Sequence, residues 1–271
     1  GSHSTIISSP TTARIYERRM HPVSSVTLQY GQTYELGNAS LCMYPAGHIL
    51  GSSQFLVGFE GTRILFSGDI NVKGSITAEP IEIPHADILV MEATYGDPRY
   101  VFPDRDYVVA QLCSLIDNTL KEEGIPVVVA YSLGKGQEIA KILGDKDYQL
   151  VLHNTIYELI DIYEQAGISF RNHVKLSSRE EIKPGTVLIV PPYILTSNSM
   201  TSIPNKRLFY LSGWGDPPCA VDQSLPFSDH ADFNELLEYV RRVSPRLIYV
   251  ANGKKRFTDI LNELGLDAYL L

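Results

Sequence analysis

The chain has 271 residues, 23 Lys and Arg against 31 Asp and Glu for a formal net charge of −8, and 44% hydrophobic residues. That apolar content excludes a disordered tail, and no period marks a repeat array. The apolar runs Ala86–Met91, Ile125–Tyr131 and Thr186–Leu195 are far shorter than the roughly 18 residues that cross a bilayer, so no membrane association is expected.

The first ninety residues read as β-rich. Short β-branched or aromatic runs (Ser4–Ser8, Val26–Leu28, Ser40–Tyr44, Gln54–Phe59, Thr62–Phe66) are punctuated by Gly31, Gly37, Gly51 and Glu60-Gly61, with one short helix at Thr11–Met20. From Asp87 the texture changes. Apolar strands at Ile88–Met91, Pro126–Ala130, Gln149–Leu152, Val187–Val190 and Arg207–Leu211 alternate with helices predicted at Asp104–Glu123, Lys135–Gly144, Thr155–Ala166, Asp232–Val243 and Arg256–Leu264. Apolar strands between amphipathic helices imply an α/β fold with a sheet covered on both faces.

Cys42, Cys113 and Cys219 are scattered and show no Cys-x-x-Cys spacing. That argues against a disulfide framework and a thiolate zinc site, and fits a cytoplasmic protein. Gly1-Ser2-His3 reads as the remnant of a cleaved tag, so the natural protein is expected to extend upstream of Ser4.

Four polar residues stand at strand exits or a helix start. His48 lies among small residues in Pro45-Ala46-Gly47-His48-Ile49-Leu50-Gly51-Ser52. Asp69 follows a strand in Phe66-Ser67-Gly68-Asp69, Glu92 ends the run Asp87–Met91, and His230 sits in Ser228-Asp229-His230-Ala231-Asp232 before an apolar helical period. Each has an ordinary account: a hydrogen-bonded loop histidine, a turn cap, a carboxylate paired with an arginine, a helix cap. Three polar residues at the exits of apolar strands also mark a site along one sheet edge. The turn Ser132-Leu133-Gly134 between a strand and a helix is either a plain connection or an anion site at a helix start.

The ordered series Ala-Gly-His-x-Leu-Gly-Ser, Ser-Gly-Asp, Glu-Ala-Thr-Tyr-Gly, Ser-Leu-Gly-Lys-x-Gln-Glu and Ser-Asp-His-Ala-Asp resembles the β-CASP nuclease branch of the metallo-β-lactamase superfamily. Ser9–Ala13, Val190-Pro191-Pro192, Leu211–Trp214 and Leu264–Ala268 resemble segments of its prokaryotic ligase-associated DNA exonucleases and mRNA 3′-end-processing factors. The resemblance implies a two-lobed α/β protein. One lobe is an N-terminally incomplete metallo-β-lactamase-type αββα sandwich (residues 1–95 and 211–271), and a β-CASP lobe on a parallel sheet (96–210) is inserted into it, with the cleft between them.

It also implies roles. His48 and Asp69 would bind the family's two zinc ions, Asp69 as the bridge. Glu92 would orient a histidine, and His230 would contact the scissile phosphate and protonate the leaving oxygen. Ser132, Lys135 and Gln137 would face nucleic acid, DNA or RNA. Lys254 and Lys255, beside them in role though not in sequence, offer charge for phosphates.

Two departures stand against this. The family's His-x-His-x-Asp-His is absent: no two of His3, His21, His48, His85, His153, His173 and His230 have that spacing. Asn252, before Gly253, stands where the family has a metal-binding histidine. Two ligands do not hold two zincs, so the expectation is a chain with zinc absent or partial and no activity of its own. The alternative is a natural pseudo-nuclease that binds nucleic acid or pairs with a second copy or an active paralogue. A small-molecule hydrolase of the lactamase or thioesterase type ranks below both.

Overall fold

Runs such as Ile125–Val129 are apolar on both faces of the pleat, so they persist as strands only where each face is covered. The computed structural model, which describes residues 5–20, 24–196, 203–215 and 217–271, shows that cover. His3, His21 and Ser4, the first residue of the first expected strand, lie outside the described residues. In chain order the elements are β1 (Thr5–Ser8), α1 (Pro10–Arg19), β2 (Ser24–Thr27), β3 (Thr33–Leu36), β4 (Ala39–Pro45), β5 (Ser53–Phe59), β6 (Thr62–Phe66) and β7 (Ile88–Glu92). Then follow α2 (Arg105–Lys121), β8 (Ile125–Val129), α3 (Lys135–Asp145), β9 (Gln149–Leu152), α4 (Asn154–Tyr157), α5 (Ile160–Gln165), β10 (His173–Lys175), β11 (Thr186–Val190), β12 (Lys206–Leu211) and β13 (Gln223–Leu225). The chain closes with α6 (Phe233–Val243), β14 (Leu247–Asn252), α7 (Lys255–Glu263) and β15 (Ala268–Leu270). Among the described residues no helix is long and apolar enough to cross a membrane.

The chain forms two units, Gly1–Val101 with Asp229–Leu271, and Phe102–Ser228. The sequence reading put these boundaries at 95/96 and 210/211. The second differs for a plain reason: β13 pairs in parallel with β12, Phe209 opposite Gln223, which keeps the stretch after Leu211 on the second unit's sheet.

The first unit is built on a mixed sheet ordered β15-β14-β7-β6-β5-β4-β3. It is parallel from β15 to β6 and antiparallel from β6 to β3. A separate parallel pair, β1 with β2, is joined through α1. Helix α6 buries Phe233, Leu236, Tyr239, Val240 and Val243 at helical spacing, packed with Leu65, Leu89, Met91 and Ile248 of the sheet. Its start is fixed by a capping box, in which the Asp232 side chain accepts from Glu235 N and the Glu235 carboxylate accepts from Asp232 N.

The second unit carries an all-parallel sheet ordered β10-β9-β11-β8-β12-β13. Val128 and Ile189 face a helix layer through Leu112, Ile116 and Ile139. Their neighbours Val127, Val129, Leu188 and Val190 face the other way, against Ile203, Leu176, Ile182 and Ile194. Helices α2 and α3 therefore cover one face, and short 3₁₀ turns with their loops, carrying Ile182 and Ile194, pack on the other. The helix expected at Thr155–Ala166 is two, α4 and α5, with a tightened i→i−3 bond from Leu159 N to Ile156 O (3.3 Å) where the first ends.

Ile189 is fully buried between β11's neighbours and the helix layer. Ile189→Ala is expected to lower unfolding stability by about 2–5 kcal/mol in urea titrations followed by circular dichroism. A loss below about 1 kcal/mol would contradict this packing.

Candidate active site

His48 is held by its loop's fit to the chain beyond β6. Gly47 has φ +76°, and a Cβ there would lie 2.3 Å from the Asn71 carbonyl oxygen, so only glycine lets the β4–β5 loop lie this close. Gly47 bridges Ile70, and Asn71 N donates to Ala46 O (3.1 Å). The far end of the loop is pinned from α1, with Ser9 Oγ and Thr12 Oγ1 donating to the Gly51 carbonyl (2.8 and 2.7 Å). His48 Nδ1 lies 2.8 Å from the Asp229 carbonyl oxygen. A carbonyl only accepts, so a hydrogen is on Nδ1, and Nε2 lies 4.0 Å from Asp69 Oδ2.

Glu92, the last residue of β7, is buried and accepts four hydrogen bonds. Oε1 takes Ile70 N (2.9 Å) and His230 Nδ1 (3.0 Å), and Oε2 takes Thr94 N (3.0 Å) and the Thr94 hydroxyl. Burial by itself raises its pKa, but the His230 bond and charge, with Thr94 and Ile70, leave it below the ordinary carboxylate value. For His230, burial pushes the imidazole down, while the Glu92 bond and charge and the nearby Asp229 and Asp69 carry it above the ordinary histidine value. The two shifts agree on an ionised pair. Nδ1–H points at Glu92, so Nε2–H is the proton His230 presents outward.

The rings of His48 and His230 lie 4.4 Å apart at 52°, and Tyr95 packs edge-on against His230 at 6.2 Å. Donor atoms of His48, Asp229 and His230, and of Asp69, Glu92 and His230, form two groups within 4.8 Å. His48 Nε2 and the half-exposed Asp69 carboxylate have the chemistry and spacing of two donors to one zinc. Glu92 is fully occupied by four donors, and His230 Nδ1 is engaged. The described residues thus bring zinc-type donors together in these two groups.

A family model described as a Zn-dependent metallo-hydrolase RNA specificity domain matches residues 218–269. A probable DNA ligase of Opitutus terrae is 34% identical over an alignment covering all of this chain and 27% of the relative. An RNase J-like protein of Methanocaldococcus jannaschii is 36% identical over 40% of this chain and 26% of its own. Transcription termination factor FttA of Methanococcus maripaludis is 30% identical over 53% of this chain and 24% of its own. The chain belongs to the β-CASP metallo-β-lactamase family. It spans about a quarter of the length of these relatives.

Within this β-CASP chain the structure brings His48, Asp69, Glu92 and His230 together. Asn252 ends β14 and is the ladder partner of Glu92 across to β7. Lys254 and Lys255 are exposed at the start of α7, Lys255 paired with Asp259. The remaining three belong to the second unit. Ser132 Oγ bonds Thr155 Oγ1 (2.9 Å), and Lys135, buried, places its ammonium 5.1 Å from the Tyr131 ring centre. Gln137 is fully buried, and it corrects the sequence reading. Both its N–H groups donate to backbone carbonyls, of Ser132 (2.9 Å) and Ile156 (3.0 Å), and its oxygen accepts from Gly134 N (2.8 Å). It shapes the turn into α3 instead of facing a polymer.

Two contributors escaped the sequence reading. The Asp229 carbonyl that fixes the His48 tautomer is a backbone group, and no side-chain motif reports it. Lys73 lies 3.3 Å from Asp232 and 3.4 Å from Glu235, tying the chain after Asp69 to the start of α6 just beyond His230. Nothing in its surrounding sequence singled it out.

The ion pair sets a pH dependence. His230's raised pKa gives stability that is complete below its ordinary 6.5 and lost as pH rises through the raised value. Glu92's lowered pKa gives stability present above its ordinary 4.5 and lost as pH falls through the lowered value. In zinc-free buffer Glu92→Gln is expected to melt below the wild type, with the gap widest near about pH 5.5 and about 1.5–3 kcal/mol there, narrowing by about pH 9. A gap constant across that range, by differential scanning calorimetry, would rule out the charged pair.

Proposed function

We propose that this chain is the phosphate-handling part of a β-CASP phosphodiesterase acting on RNA or DNA, of the exonuclease or 3′-end-processing kind. The Glu92–His230 pair beside His48 and Asp69 is the observation that carries the reading: a buried anion holding an imidazolium next to two metal-type donors. The relatives' names, RNase J-like protein, transcription termination factor and probable DNA ligase, support nucleic acid as the substrate class. We read the first unit, with the β1–β2 pair beside its main sheet, as the family's αββα sandwich, and the second as its β-CASP lobe.

His48 and Asp69 are the residues that would hold zinc. Bound zinc polarises a phosphate and supplies hydroxide at neutral pH. His230 does the rest of the described work. Its Nε2–H donates to a phosphate oxygen and, as bond breaking proceeds, protonates the leaving oxygen, while Glu92 fixes its ring and keeps it charged. Asp69 is half exposed, and its carboxylate lies 4.0 Å from His48 Nε2.

The present donors do not hold two zincs, and Asn252 offers an amide where an imidazole would bind more tightly. A second reading follows from Asn252: a nuclease fold that has kept nucleic-acid binding and lost cleavage, working as a binding subunit or beside an active copy. Zinc loading followed by gel filtration and elemental analysis tests the donor count. The 271-residue chain is expected to retain less than one zinc and to leave labelled RNA and DNA oligonucleotides intact. Two retained zincs with cleavage would overturn it. Asn252→His is expected to raise retained zinc. Metal-dependent cleavage by that variant of the natural protein favours the nuclease reading, and binding without cleavage favours the second.

A further inference from the structure

The stretch from Pro226 to Asp232 joins β13 to α6 with neither a strand's ladder nor a helix's turns to hold its backbone. It carries two groups of the candidate site: His230, and the Asp229 carbonyl that takes the His48 Nδ1 hydrogen. Glu92 holds the His230 ring directly. A carbonyl is aimed by its backbone alone, so the direction of the Asp229 oxygen depends on what holds the peptides on either side. On the far side Ala231 N donates to Ile70 O (2.7 Å).

Arg105 holds the near side. It is the first residue of α2, behind the Asp104 cap, and its Nη2 donates to the Ser228 carbonyl (3.2 Å) and to the Glu138 carboxylate of α3 (2.8 Å). Its guanidinium lies over the ring of buried Phe227, 4.4 Å from the ring centre. Glu138 is 1% exposed. A buried pair of this kind adds little stability over apolar residues of the same volume, so its presence calls for another account. Anchoring supplies one. Glu138 and Phe227 fix where Nη2 stands, and Nη2 fixes the Ser228 oxygen, which lies in the plane of the Ser228–Asp229 peptide.

We infer that Arg105 is a positioning residue for His48: anchored by Glu138 and Phe227, it fixes the Ser228–Asp229 peptide, and through the Asp229 carbonyl it sets the direction of the His48 ring. A residue of the second unit thereby aims a donor of the first, along the chain that joins them. The catalytic meaning of this rests on the reading above, in which His48 is a zinc donor, while the series of bonds stands without it.

Nuclear magnetic resonance of the full chain in zinc-free buffer, with isotope-labelled histidine, tests this without any activity. The readout is the exchange with water of the Nδ1 hydrogens of His48 and His230, since one depends on the Asp229 carbonyl and the other on Glu92. Arg105→Lys keeps the charge but loses the flat fork that lies on Phe227. Arg105→Met combined with Glu138→Met removes both charges together, so neither is left buried and unpaired. In both, the His48 hydrogen is expected to exchange roughly 5- to 10-fold faster, while that of His230 stays within about twofold of the wild type. Glu138→Gln still accepts from Arg105 and should leave both hydrogens within about twofold. Cooperative melting by circular dichroism checks folding, and Arg105→Lys carries the test should the double variant not fold. A His48 hydrogen unmoved by Arg105→Lys overturns the role. So does equal loss of protection at both histidines in a folded variant, which is general loosening. Failure of the natural protein to bind or cleave nucleic acid would sink the nuclease reading alone, since the histidine signals do not depend on it.

Discussion

Glu92 ends a strand inside the first unit's core, where an uncompensated carboxylate costs several kcal/mol, and it is compensated by four donors from three places in the chain. Ile70 N comes from the segment carrying Asp69, Thr94 from the turn after β7, and His230 from the approach to α6. The same carboxylate therefore fixes one candidate zinc donor through the backbone beside it and one acid through its ring. Gly47 adds the remaining constraint, because its lack of a Cβ lets the His48 loop close onto Asn71, next to Ile70. Removing Glu92 would disturb all of these positions together, so a Glu92 variant probes the assembly rather than one contact.

Much of this was legible in the sequence because the signals were local. The runs behind β4 to β8, β11 and β12 were apolar or β-branched and bounded by glycine or charge, and they appear within a residue or two of their expected ends. Placement at the ends of elements marked a site along one sheet edge, and the expectation that His48, Asp69, Glu92 and His230 converge came from the family resemblance. What escaped was non-local. Strands β10, β13 and β15 have three residues each and exist through pairing with partners far along the chain. The second boundary between the units depended on one of them, β13. Gln137 sat in a motif that suggested contact with a polymer, but its amide completes three backbone bonds around the turn into α3. Spacing along the chain does not tell a satisfied buried amide from an exposed one.

The second unit shows how little sequence separates a core from a surface. Val127 and Val128 are adjacent and both buried, yet they belong to different hydrophobic clusters on opposite faces of one sheet. Four residues along the chain from Val127, past the strand's end, Tyr131 is half exposed. Apolar packing ends where the strands end, and the aromatic side chains just past those ends are supported by a rigid sheet without being covered by it.

The Glu92–His230 pair bears on which functional reading the chain deserves. A buried ion pair is weak as a source of stability, because apolar residues of similar volume usually do as well or better in its place. Its presence therefore needs another account. An imidazolium held by a buried carboxylate, with Nε2–H outward beside His48 and Asp69, is useful where a phosphate oxygen must be bound or protonated. Asn252 departs on the metal side of the site and leaves this acid side whole. On the function proposed above, this half of the site binds a phosphodiester and donates a proton to it, and it serves the nuclease and the binding-subunit readings alike.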